Sequence, residues 1–325
     1  MLKIRTSLVA VLLSLALNGA AVGGCDKKPG GGTQNTNQSQ ANNQPTPAPA
    51  PTPVRGDGQP GDSDLKILAQ GGYSRMTDAF VVVARDAETY AALRRLVNEL
   101  PEMNAAEFQS NAVVAAFLGQ RRTGGYGVSI VRTAENRVRI AATAPPRGSI
   151  TTQALTAPFK IASVPVSAVT GLTFELDGSW RAAARPYRLK TGEFTMQGGI
   201  AGRGKSFKLE GEIGIMRQGN LATFVFDLKS AGGDRERSLK DVASGIVHDD
   251  GNLTGLIVDP GSLIDAPRSP LRAAGGLTGG ENNLALTFES LPSRIADSFN
   301  GQGRLEATAT APPPPKSRPS EDAPM

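Results

Sequence analysis

The residues that could carry chemistry in this chain are few, and their spacing excludes more than it offers. His248 is the only histidine and Cys25 the only cysteine. A His-based catalytic triad would have to use His248 in IVHDDGNLTG, which reads as a strand end entering a type I′ hairpin. A histidine-cluster metal site is excluded by count. Asp249 and Asp250 offer carboxylate oxygens to Ca²⁺ without further ligands around them. Acids are plentiful, at 30 Asp and Glu, yet no pair stands out as a hydrolytic couple. The expectation is a protein that is not an enzyme and needs no cofactor and no metal.

Binding chemistry has two candidates. Residues 119–128, GQRRTGGYGV, gather two arginines, a threonine, two glycines and a tyrosine between two strand-like runs. The spacing predicts a hairpin in which Gly124 and Gly125 supply positive φ. Arg121, Arg122 and Thr123 would then face a protein partner, with Tyr126 in either the core or the contact. The second candidate is the basic run Arg181, Arg185, Arg188, Lys190, Arg203, Lys205 and Lys208, interrupted only by Glu193. A solvated face is one reading of it. Contact with anionic lipid or acidic cell-wall polymer is the other, with Trp180 and Tyr187 as a sugar platform.

The elements that must position these residues fall into two patterns. From 62 to 167 the pattern is mixed: DAFVVVAR (78–85) is a strand, and DAETYAALRRLVNELP is a helix with Asp86 as N-cap and Pro101 as stop. Tyr90, Leu93, Val97 and Leu100 share one helical face. AVVAAFLG (112–119), apolar on both faces, is a central strand beneath that helix. YGVSIVR and RVRIAATA alternate, the second with Val138, Ile140 and Ala142 inward and Arg137 and Arg139 outward. From 168 to 310 alternation with period two is uniform, as in LTFELDGSW, FKLEGEIGI and ATFVFDLK. The fold class expected is an α+β region, an antiparallel sheet with one helix, followed by an all-β antiparallel sandwich or barrel. The change of pattern near 166–171 predicts two separately folding units.

The termini are of another kind. Lys3 and Arg5 precede ten small or apolar residues, Leu8 to Leu17, too few to span a bilayer. Residues 1–24 read as an export signal, which takes two positive charges from the formal +5 and leaves +3. So mild a surplus does not point to nucleic acid. Residues 25–61, Gln/Asn-rich and then Pro-Ala-Thr-rich, have almost nothing to bury and read as a disordered tether, as does the Pro-rich tail 311–325. Ala21-Val22-Gly23-Gly24-Cys25 resembles the lipobox of bacterial lipoproteins. That resemblance implies acylation of Cys25 and a lipid anchor in a bacterial cell membrane or outer membrane, facing periplasm or exterior.

FLGQRRTGGYGVSIV, followed by APPRGSITTQALTAPFKIASVPV, resembles the PrcB C-terminal domain. Gly119, Thr123, Gly124, Gly125, Tyr126 and Val128 match, as do Pro146, Gly148, Thr152, Gln153 and Pro158. The founding member of that family is a lipoprotein subunit of a bacterial surface protease complex. The resemblance implies a protease-associated adaptor or inhibitor that docks through 121–126. The alternative is an envelope-binding lipoprotein whose β region contacts cell-wall polymer or anionic lipid.

Overall fold

Short β-branched runs set the first region. In the computed structural model, which describes residues 65–97, 99–166, 171–197, 204–231, 236–263, 270–291 and 300–310, β2 (Phe80–Ala84) is FVVVA, buried on both faces. It pairs antiparallel with β3 (Asn111–Phe117), which also pairs with β6 (Phe159–Pro165), and β6 pairs with β1 (Lys66–Gly71). The sheet order is β1-β6-β3-β2, so β3 is a central strand as its apolar run requires. A second, three-stranded sheet holds β4 (Gly127–Ala134), β5 (Arg137–Thr143) and β7 (Thr173–Leu176). Small antiparallel sheets with one substantial helix thus precede the barrel, and the parallel pairing of β5 with β7 is the exception among them.

Helix α1 (Ala87–Leu96) starts where its cap demands. Asp86 accepts from the Thr89 backbone N–H at 2.8 Å and from the Thr89 hydroxyl at 2.9 Å. Glu88 in the first turn and Arg94 and Arg95 in the last suit the helix dipole. The helix ends before Pro101, because Val97 already has extended backbone angles. Leu100 is buried nonetheless, and the Tyr90 hydroxyl holds the following segment by donating to Pro101 O at 2.7 Å.

Period-two alternation builds a closed eight-stranded antiparallel barrel from β8 (Arg185–Gln197), β9 (Lys205–Gln218), β10 (Leu221–Ala231), β11 (Ser238–Val247), β12 (Asn252–Val258), β13 (Leu271–Thr278), β14 (Asn283–Ser290) and β15 (Asn300–Ala309). Each strand pairs with the next, and β15 closes on β8. Inward side chains such as Phe194, Phe224, Leu256, Leu286 and Leu305 fill the interior as one apolar cluster. The IVHDDGNLTG loop differs from the expected type I′ turn. Of its central residues only Gly251 has positive φ, and its N–H bonds back to His248 O at 2.8 Å, a type I turn with a left-handed glycine.

Residues Gly56–Met325 group as one compact unit. β10 and β11 are buried on both faces because their outer sides meet β2: Met216, Leu221, Val225, Val242 and Ile246 belong to the same cluster as Val81, Leu93 and Val114. The change of sheet does not fall at 166–171. β7 and the short α2 (Gly178–Arg181) belong to the first region, and the barrel starts after them. Trp180 on α2 is fully buried and donates to Phe117 O at 2.9 Å, so it locks α2 under β3 and is no sugar platform.

Two polar devices cross the seam. Thr223 donates to Val81 O, while the Val83 N–H donates to Ser244 Oγ at 2.9 Å. With the Thr223 proton used, the 2.6 Å contact between the two hydroxyls is donated by Ser244. Beside it Arg85 forms an ion pair with the buried Asp241 at 2.9 Å and donates to the carbonyls of Leu172 and Ile257 at 2.8 and 2.7 Å. Asp241 also accepts from the backbone N–H groups of Phe174 and Asp259.

Thr223→Val keeps shape but leaves Val81 O and the Ser244 proton unpaired in a dry seam. It should cost about 2 kcal/mol or more by chemical denaturation, with Thr223→Ser costing less. Burial pushes the Asp241 carboxyl up to about 6, with Arg85 opposing the shift. Its folded pKa lies above the unfolded one, so the stabilising protonated form is fully present below about pH 4 and lost as pH rises through about 6. Denaturation across that window should show stability falling with pH. Asp241→Asn should lack that component and be destabilised by about 1–3 kcal/mol, because its amide NH2 replaces an oxygen that accepts from Arg85 and from the Phe174 or Asp259 backbone N–H.

Candidate functional site

Residues 119–126 are not a hairpin tip. β3 and β4, the strands on either side, lie in different sheets, so this stretch is a crossover between them. The signal that misled is shared: a crossover and a hairpin both need residues that turn tightly. A second loop, 144–157, clasps it. Arg121 and Thr156 exchange backbone hydrogen bonds at 2.7 and 2.9 Å, Gly124 N donates to Thr152 O at 2.8 Å, and the Thr156 hydroxyl donates to Thr123 O at 3.1 Å.

The glycines are there for this clasp. Gly119 has φ +73°, and a Cβ on it would stand 2.6 Å from the Asp78 carbonyl carbon. Gly125 has φ +84° with Pro145 at 2.9 Å, whereas Gly124 does not take the positive φ expected of it and serves close approach instead, since a Cβ there would lie 2.4 Å from the Thr152 hydroxyl. Tyr126 is half-buried against the core, and the Arg121 guanidinium lies 5.8 Å from its ring centroid. The expected contact residues therefore divide. Gly124 is buried, and Thr123 and Gly125 shape the clasp. Arg122 is exposed and Arg121 half-buried.

What the clasped loops leave outside was not legible in the motif. Ile150 is fully exposed, Tyr73 is 72 % exposed and Leu155 64 %. Each sits on or beside a segment tied to the loops: Leu155 precedes Thr156, Ile150 precedes the residue packed on Gly125, and Gly72 O accepts from Ala157 N at 2.7 Å. Among the described residues, Arg121, Arg122 and Arg147 make no ion pair. Among the described residues four exposed large hydrophobics are found, these three and Ile67, and all belong to the first region.

The barrel treats its charges differently. Arg188 pairs with Glu212 at 3.4 Å, Lys229 with Glu210 at 3.2 Å and Lys240 with Asp227 at 3.4 Å, and Lys208 lies opposite Glu193. Arg181 and Arg185 donate to the carbonyls of Leu176 and Glu281. Tyr187 is 1 % exposed, its hydroxyl donating to Glu281 O at 2.5 Å, so it is no sugar platform either. Of the basic run, Arg188 pairs with an acid on the neighbouring strand and Lys208 stands opposite Glu193, while Lys190 and Lys205 are exposed without an ion pair among the described residues. Arg203 lies outside the described residues, as do Cys25, the export signal, the tether and the Pro-rich tail.

Other chemistry is thinly supplied. His248 is exposed and shares a hydrogen bond of 3.0 Å with the Thr254 hydroxyl. Asp250 is held below the usual carboxylate range, chiefly by the Asn252 backbone N–H. A cleft of about 520 Å³ opens between the first region and the barrel, over Arg85, Phe108, Leu172 and Asp259. The Arg85 guanidinium nitrogens beneath it are engaged by the protein.

Gly119→Ala should be the most damaging single change in the clasp. It combines a left-handed backbone with a collision against main chain, and should cost about 2–4 kcal/mol by thermal or chemical unfolding. Residues 112–165 match the protein-family model described as PrcB C-terminal, a span holding both clasped loops. A comparison with curated proteins finds no match.

Proposed function

We propose that the protein is a lipid-anchored bacterial envelope protein acting as a non-catalytic protein-binding module, a protease-associated adaptor or inhibitor. The match over 112–165 supports a PrcB-like first region, and the lipobox-like stretch ending in Cys25 supports the anchor. One observation carries the docking role: the clasped loops and the adjoining Tyr73 expose Ile150, Leu155 and that tyrosine together with Arg121, Arg122 and Arg147, cations that make no ion pair among the described residues. Exposed apolar side chains next to arginine are the composition of contact surfaces. Barrel contact with cell-wall polymer or anionic lipid draws less support, because Arg188, Lys229 and Lys240 pair with acids on adjacent strands and Trp180 and Tyr187 are buried.

Recovery of the protein with its partner from solubilised membranes tests the docking role. Arg121→Ala with Arg122→Ala should leave stability within about 0.5 kcal/mol, as surface changes do, while recovery of an exported protease falls sharply. Unchanged recovery by a normally folded double variant would overturn it. In the same preparation Cys25→Ala should leave the membrane fraction after a salt wash.

A further inference from the structure

The four-stranded sheet has two edges, and the molecule treats them in opposite ways. At β2 the outward Val81 C=O and Val83 N–H are satisfied by Thr223 and Ser244 of the barrel. At the other edge β1 pairs only with β6. Among the described residues, no side chain bonds to the main chain of 66–71. An exposed strand with alternate N–H and C=O groups facing outward is a template for another strand.

The end of this edge carries a socket. A crevice of about 380 Å³ lies beyond Gly71, lined by Tyr73, Arg75, Leu96, Val97, Phe117 and Phe159. Gly71 stands opposite Phe159 in the register, and even a Cβ on it would come within 3.0 Å of that ring. The absent side chain therefore leaves the Phe159 ring open from the β1 side. Ile67 (38 % exposed) and Tyr73 lie along and just past the strand. Lys66, Arg75, Arg121 and Arg122 make no ion pair among the described residues. The bulge between Ile67 and Ala69 limits the free run to the Ala69–Gly71 end, nearest the socket.

We propose that an extended segment of a partner protein adds to the Ala69–Gly71 edge of β1 and seats an apolar side chain in the crevice beside Tyr73. The proposal rests on the docking role above and specifies its occupant. Main-chain hydrogen bonds supply affinity and the crevice supplies specificity, as in strand addition generally. The cations select a segment whose flanks are acidic. They also argue against a second copy of this chain, since pairing β1 with β1 would bring Lys66 and its neighbours against like charge. Glu99 also lines the crevice, so the inserted side chain is apolar and the partner's acids lie outside it.

The test uses the full chain carrying Cys25→Ala and a labelled, capped peptide, Glu-Thr-Phe-Thr-Val-Thr-Glu. Binding is read by fluorescence anisotropy and its place by amide hydrogen exchange. The peptide should bind and slow exchange at residues 69–71. Replacing its inner threonines by proline, its phenylalanine by alanine, or its glutamates by lysine should each weaken binding by about tenfold or more, the scale of a lost hydrogen bond or anchor. Tyr73→Ala, at an exposed position that leaves the fold intact, should weaken it similarly. No binding at about 1 mM peptide, equal binding of the proline peptide, or protection away from β1 would each overturn strand addition. Should the Arg121→Ala, Arg122→Ala protein still lose its membrane-extracted partner in that event, the docking role stands and only its mode falls.

Discussion

The seam between β2 and the barrel is the constraint to which the rest of the molecule conforms. A sheet edge cannot be buried against apolar surface without partners for its N–H and C=O groups, since each unpaired group costs on the order of 1–3 kcal/mol. The barrel answers with two hydroxyls, Thr223 and Ser244, each accepting one hydrogen bond and donating another. That chain fixes the register of β2 on β10 and β11. Once it is fixed, Arg85 at the end of β2 meets Asp241, and through their hydrogen bonds the starts of β7 and the end of β12 are tied to the same place.

The same seam explains why burial is uneven around the barrel. Strands β10 and β11 carry apolar side chains outward as well as inward because they have a neighbour, whereas β8 and β9 face water with paired charges. The first region consequently exposes the clasped loops and the β1 edge on the surfaces it does not give to the barrel. One edge of the four-stranded sheet is thus spent on the seam, and the other stays open.

Local chemistry in the sequence marked much of this. Asp86 as a cap, the doubly apolar 112–119 run, and the alternation of 205–231 all lead to the elements found. So does the glycine pair, whose need for tight backbone is real although the turn joins two sheets. What stayed hidden depends on strands distant in the chain. Ser244 and Asp241 read as polar interruptions in a strand until β2 supplies their partners, more than 150 residues earlier. Trp180 looked like a surface platform because nothing nearby in sequence announces the Phe117 carbonyl it reaches. The end of α1 was overrun because Leu100 keeps the helical spacing while the backbone has already straightened at Val97. Around the clasped loops the motif residues were visible, but the exposed Ile150, Leu155 and Tyr73 belong to segments without periodicity.

The closure of β15 on β8 has a consequence for how the chain is made. Every other barrel contact joins consecutive strands and can form as the chain emerges, but the last joins residue 187 to residue 309. Until the final strand arrives, β8 presents an unpaired edge, and loop-closure entropy makes that step the slowest to gain from its contacts. Its outward Arg188, Lys190 and Glu193 keep the waiting edge hydrated and unattractive to other chains. Charge along β8 is thus, while the chain is being made, a guard on the opening that the last strand closes.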